Sequence, residues 1–130
     1  MTQLITRRLG RTERQVTTLG LGGQASIQWP AEGVDPVAII EKAYRLGINY
    51  MDTSNVYGTS QKNFGVAFRR LGLSPAAANY DPAARERIFV ASKTHIRSVR
   101  RPEGKRFRTD FSEGMLDGFG VSTAVDDIRR

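Results

Sequence analysis

Between residues 37 and 44 the apolar positions recur at helical spacing: Val37, Ile40, Ala43 and Tyr44 fall on one face. Asp35-Pro36 stands just ahead of them. The aspartate can cap the first free N–H groups, and the proline has none to lose at the first helical position. Gly47 sits where a left-handed C-cap belongs. A second helix is expected over Phe64, Ala67, Phe68 and Leu71, which follow the i, i+3, i+4, i+7 pattern. Thr59 or Ser60 is its expected cap, and Gly72 its terminator.

Extended segments precede, separate and follow these helices. "RRLGRTERQVTTLGLGG" reads as two short strands around a turn at Gly10 to Arg14, then a third run ending in glycines. "INYMDT" is short and rich in strand formers, and "RIFVASKT" is a continuous apolar run of the kind buried on both faces of a parallel sheet. "LSPAAANYDPAARER" carries two prolines and is expected to be a loop with one short helical turn. A long polar loop follows, and "VSTAVDDIRR" opens a further helix, with Thr123 and Asp126 in capping-box spacing. A small β preface followed by strand and helix in alternation predicts an α/β fold with a parallel sheet.

At 130 residues the chain suits a single domain. It contains no apolar run near the ~18 residues of a membrane helix, and "MTQLITRRLG" lacks the apolar stretch of a signal peptide. A cytoplasmic protein without a membrane partner is expected. With no cysteine and one histidine, disulfides, thiolate chemistry and histidine-rich metal sites are excluded. The net charge of +7 raises the question of a nucleic-acid partner. Its one dense cluster, Arg97, Arg100, Arg101, Lys105, Arg106 and Arg108, is interrupted by Pro102 and Gly104. That marks a loop rather than a groove-reading helix, and no nucleic-acid partner is expected.

"GLGGQA" places Gly20, Gly22 and Ala25 in the dinucleotide fingerprint G-x-G-x-x-A. That motif works only when the glycines open a helix facing the pyrophosphate. Here "SIQWPAEGVDP" follows, with two prolines and no helical period, so the glycines are read as a tight turn after the first parallel strand.

Chemistry concentrates at strand ends. Asp52 closes "INYMDT", Tyr57 lies in the loop after it, and Lys93 closes "RIFVASK". The C-terminal ends of parallel strands share one rim, where α/β proteins place their ligands. An ammonium beside a phenol favours the phenolate, and a carboxylate holds the ammonium charged and in place. A tyrosine tuned in this way can give a proton to a carbonyl oxygen or take one in reverse. Each residue also has an ordinary reading: Asp52 as a turn cap, Tyr57 as an aromatic packed over a bend, Lys93 as a solvated strand end. Together, at the ends of successive strands, they favour a site.

"GINYMDTSNVYGTSQKNFGVAF" resembles the signature of the aldo-keto reductases, "RRLGRTERQVTTLGLGG" their N-terminal hairpin and first barrel strand, and "RERIFVASK" the strand bearing their active-site lysine. The resemblance, from about Arg7 to Lys93, implies the N-terminal part of a (β/α)8 barrel: a hairpin plus about three βα units. It implies carbonyl reduction with NADPH, or NADH as the alternative, on a small-molecule carbonyl substrate. Tyr57 would be the proton donor, Lys93 its partner and Asp52 the residue orienting the lysine. Gly22, Gly23 and Asp52 are the cofactor-binding candidates; Trp29 and His95 are the candidates for the substrate pocket. His95 is not the family's active-site histidine, which belongs to a later strand. Gln61 stands where the family commonly has glutamate, which removes one helix-start charge, and Phe64 replaces a usual leucine. The alternative in the same fold is a binding or regulatory module like the potassium-channel β subunits. A whole barrel takes ~250 residues, so the chain is expected to be a truncation of residues 1–130 ending before the fourth strand. Its open sheet edge is expected to invite self-association, and reductase activity is not expected of it alone.

Overall fold

A computed structural model describes residues 4–93 of the chain. In chain order they form β1 (Thr6–Arg8), β2 (Gln15–Thr17), β3 (Leu21–Gly22), a 3₁₀ turn (Ala25–Ile27), α1 (Pro36–Arg45), β4 (Tyr50–Asp52), α2 (Ser60–Arg70), α3 (Pro82–Glu86) and β5 (Phe89–Ala91). β1 and β2 pair antiparallel, with Arg7 opposite Val16. β3, β4 and β5 form a parallel sheet in that order, with Gly22 opposite Asp52 and Asp52 opposite Ala91. The helix expected near residues 121–130 and the basic loop before it lie outside the described residues, as does His95.

α1 follows its sequence signals closely. Asp35 Oδ1 accepts from the N–H groups of Val37 and Ala38 at 2.8 and 3.2 Å, and Pro36 opens the helix. At its end Gly47 adopts φ 92°. The Ile48 N–H donates to Ala43 C=O at 3.1 Å and the Gly47 N–H to Tyr44 C=O at 2.9 Å, completing a Schellman motif. α2 ends the same way at Gly72, with Leu73 N–H donating to Phe68 C=O at 2.7 Å. A second Asp-Pro pair starts α3, where Asp81 Oδ1 accepts from Ala84 N–H at 3.0 Å.

Two expectations are corrected. Thr59 occupies the N-cap position of α2 but makes no side-chain capping bond. Its backbone, at φ −85° and ψ 1°, is not the extended form that turns a cap hydroxyl toward the helix. The hydroxyl instead donates to Gln28 C=O at 3.1 Å. The "RIFVASKT" strand is not buried on both faces: Phe89, Val90 and Ala91 are all half-buried. β5 stands at the edge of the described sheet, where one side has no neighbouring strand among the described residues.

Ile27, Val37, Ile40, Met51, Phe64, Ala67, Leu73, Ala84 and Ile88 make one buried cluster between the sheet and its helices. Ile40, Met51 and Ala67 have no exposed surface. Asn49 fastens the hairpin to the N-terminal end of β4. Its Oδ1 accepts from Thr17 N–H at 2.7 Å and its Nδ2 donates to Gln15 C=O at 2.9 Å. The hairpin therefore sits at the opposite end of the strands from Asp52. Among the described residues no helix is long and apolar enough to cross a membrane.

Two glycines of α2 predict opposite outcomes. Gly65 lies inside the helix, and a Cβ there would meet nothing nearer than the Arg69 guanidinium at 3.9 Å. Gly65→Ala should therefore stabilise the full-length protein by roughly 0.5–1 kcal/mol. Gly72, at φ 72°, would drive a Cβ into the Asn79 carbonyl oxygen. Gly72→Ala should cost at least about 1–2 kcal/mol for the left-handed backbone alone. Thermal melts of the two variants check this, and equal shifts in one direction would contradict it.

Candidate active site

Because Asp52 and Ala91 are register partners in a parallel pair, the chain leaves β4 and β5 at the same rim. The segment from Ser54 to Thr59 then turns tightly. Tyr57 N–H donates to Ser54 C=O at 3.1 Å, and Ser60 N–H donates to Tyr57 C=O at 2.7 Å. Gly58 allows this: it adopts φ 44°, and a Cβ there would lie 3.2 Å from both the Cγ and the carbonyl oxygen of Gln28. The loop so folded carries the Tyr57 ring back over the strand ends.

Lys93 meets both other groups there. Its Nζ donates to Asp52 Oδ1 at 2.8 Å, to Asp52 Oδ2 at 2.7 Å and to Thr53 C=O at 2.9 Å. It also sits over the Tyr57 ring, 4.7 Å from the centroid, where a cation is attracted to the π face. The Lys93 and Asp52 side chains are 46% and 36% exposed, so the pair faces solvent. A pair so exposed contributes about 0–1 kcal/mol; its main effect is to fix the ammonium. Partial burial pushes the Lys93 pKa down. The hydrogen bond to Asp52, the contact with Tyr57 and the charges of both outweigh that and leave it above the ordinary lysine value.

Asp52, Tyr57 and Lys93 come together. Trp29, 53% exposed, stands beside the tyrosine loop, its Nε1 3.5 Å from where a Cβ at Gly58 would lie. Gly22 pairs with Asp52, and nothing lies within 4 Å of a Cβ added there, so the rim is open at that point. Gly23 is closed in: a Cβ would overlap the Asp52 carbonyl and lie 2.6 Å from Ser60 Oγ, so packing alone demands glycine. Among the described residues no cluster of potential metal ligands exists.

Sequence reasoning missed the groups that hold this arrangement. Thr53 offers its carbonyl to Lys93; a backbone acceptor has no sequence signature. Gln28, 1% exposed, donates from Nε2 to Val56 C=O at 3.4 Å. Asn63 Nδ2 donates to Ile27 C=O at 2.9 Å, tying α2 to the 3₁₀ turn that precedes Trp29. Polar residues at helix positions 60 and 63, on the side of the buried Phe64 and Ala67, were the available signal.

The family model of the aldo/keto reductases matches residues 18–124. The chain belongs to the aldo/keto reductase family. It is 39% identical over 75 residues to L-galactose dehydrogenase of Arabidopsis thaliana, covering 55% of this chain and 24% of that protein. It is also 27% identical over 129 residues to the uncharacterized oxidoreductase YqkF of Bacillus subtilis (strain 168), covering 93% of this chain and 41% of that protein. The chain thus spans about a quarter and about two fifths of the lengths of these two curated relatives. Aldo/keto reductases are (β/α)8 barrels. The parallel order β3, β4, β5, with α1 and α2 as crossovers, is that of successive barrel strands.

The raised Lys93 pKa has a pH consequence. A lysine whose pKa is higher folded than unfolded adds stability that is fully present below its unfolded pKa and lost as pH rises through the folded one. From the ordinary value of 10.5 upward, the wild-type full-length protein should lose stability faster than a Lys93→Met variant. Denaturant midpoints of both proteins at neutral and alkaline pH measure the difference; parallel curves would contradict it.

Proposed function

We propose that the complete protein is an oxidoreductase that interconverts a small-molecule aldehyde or ketone with its alcohol, using a nicotinamide cofactor, NADPH in preference to NADH. The observation that carries this reading is the placement of Lys93 Nζ between the Asp52 carboxylate and the face of Tyr57. The dehydrogenase and oxidoreductase names of two similar proteins support redox chemistry. The rim fits a planar cofactor ring in one respect: the open backbone of Gly22 beside Asp52 leaves a flat group room to approach. Gly22 and Asp52 would be the near contacts, while Gly23, buried against the Asp52 carbonyl and Ser60 Oγ, would shape the rim without touching the cofactor.

A reduced nicotinamide, when bound, supplies the hydride for the carbonyl carbon. The residues of this chain supply the proton and its setting. Tyr57 donates from its hydroxyl to the carbonyl oxygen, which becomes the alcohol. The Lys93 ammonium, beside the ring, stabilises the negative charge left on the phenol oxygen. Asp52, bidentate on that ammonium, keeps it charged and prevents it from swinging into solvent. Trp29, next to Gly58 on the same rim, would form one wall for the substrate.

Tyr57→Phe in the full-length protein removes only the hydroxyl. It should lower kcat for aldehyde reduction by about 10²–10⁴-fold, the usual share of a general acid. Binding of NADPH, followed by quenching of protein fluorescence, should hold. Undiminished turnover by this variant would remove Tyr57 from the chemistry. Cofactor binding without turnover in the wild type would favour a binding or regulatory role.

A further inference from the structure

We infer that the contact between the Thr53 and Ser60 hydroxyls positions Tyr57 against Lys93, making Thr53 and Ser60 positioning residues of the site. In its catalytic consequence, this rests on the redox reading above. Both residues are buried, Thr53 at 5% and Ser60 at 0% exposure. Their oxygens lie 2.9 Å apart. Buried hydroxyls are satisfied by partners at fixed distances, and deleting one strands the other.

Each residue is also fastened to one half of the site. Thr53 N–H donates to Ala91 C=O at 2.9 Å, and Thr53 C=O accepts from Lys93 Nζ at 2.9 Å. Ser60 N–H donates to Tyr57 C=O at 2.7 Å. A continuous chain of contacts therefore runs from the ammonium through Thr53 and Ser60 to the tyrosine backbone, with the hydroxyl pair as its central link. Gly23 closes the third side. A Cβ there would come within 2.6 Å of Ser60 Oγ and 3.1 Å of Thr53 Cα, so the pair has no space to shift toward β3.

The other anchors of the loop act elsewhere. Gln28 Nε2 to Val56 C=O and Thr59 Oγ1 to Gln28 C=O attach its outer side to the segment bearing Trp29. Asn55 N–H reaches Lys93 C=O at 3.4 Å, a long contact to the lysine backbone rather than to its ammonium. The hydroxyl pair is thus placed to set the height of the tyrosine above the strand ends.

The test uses the full-length protein with NADPH and an aromatic aldehyde, and Thr53→Val, Thr53→Ser and Ser60→Ala. Thr53→Val deletes the hydroxyl at nearly constant shape and keeps the carbonyl that holds Lys93. Thr53→Val and Ser60→Ala should each lower kcat roughly 10–100-fold, the scale of a small misplacement, with little change in KM. Thr53→Ser should retain most of the wild-type rate. The double variant should be no slower than the worse single one, since both break the same link. A second readout needs no turnover: titration of the Lys93 Cε signal by NMR should show its raised pKa falling toward the ordinary value in Thr53→Val and Ser60→Ala. If Thr53→Val fails to fold, Ser60→Ala, which removes one oxygen, carries both readouts. Equal loss in Thr53→Ser and Thr53→Val, or unchanged kcat and Lys93 titration in Thr53→Val and Ser60→Ala, would overturn the inference. A wild type that turns over no aldehyde with either nicotinamide would defeat the redox reading, and the Lys93 titration would then decide the positioning role alone.

Discussion

The register of β4 against β5 decides whether three ionisable side chains meet at all. With Asp52 opposite Ala91, Lys93 extends two residues beyond the paired strands and its side chain can fold back onto the carboxylate. A slip of one residue would turn Asp52 to the other face of the sheet. Several contacts oppose such a slip. Tyr50 and its partner Phe89 stack edge to face at 5.6 Å. Phe89 N–H donates to Asn49 C=O at 2.7 Å, and Thr53 N–H to Ala91 C=O at 2.9 Å, so the ladder continues past both ends of β4. Met51 is fully buried among residues of α1 and α2, which leaves Tyr50 and Asp52 facing away from the helices. Burial of one apolar side chain therefore determines which way the carboxylate points.

Holding a lysine at an open rim presents a conflict. Full burial of the Asp52–Lys93 pair would carry a large desolvation cost, whereas full exposure would let the four-carbon stem wander. The structure takes a middle course. The pair is partly open to solvent, and Lys93 Nζ is held by three oxygens, two of the carboxylate and one of the Thr53 backbone. Such an arrangement adds little to stability but keeps the ammonium charged and localised. It also explains why a backbone carbonyl takes part, since that acceptor cannot change protonation state and moves only with β4.

The sequence was most readable where local chemistry suffices. Asp35-Pro36 and Gly47 bound α1 because a cap aspartate, a first-turn proline and a left-handed glycine act on their own neighbours. Gly10 to Arg14 formed the hairpin turn for the same reason, with Gly10 and Glu13 at positive φ. Asp52, Tyr57 and Lys93 were readable together because alternating strands and helices imply a parallel sheet, and parallel strands end on one rim. The continuous apolar run at residues 88–91 was misleading. Apolarity shows that a strand faces a core, but not whether a further strand covers its edge. Nor could the sequence show that Gln28 and Asn63 would reach carbonyls 28 and 36 residues away.

The failed cap of α2 is informative in the same terms. Thr59 and Ser60 have the residue types of a helix start, and local propensity would direct one hydroxyl to the free N–H groups, worth about 1 kcal/mol. Neither does so. Thr59 donates to Gln28 C=O and Ser60 contacts Thr53, both tertiary partners on segments that border the site. No acidic residue in the first turn compensates, and Gln61 instead donates to Ser92 Oγ at 3.4 Å, again toward β5. Three successive side chains at one helix start thus favour contacts that hold the rim over contacts that stabilise their own helix. Departures from local preference of this kind concentrate where geometry has to be exact enough for function. The first turn of α2 is on that account tied to the candidate site as the strand ends are.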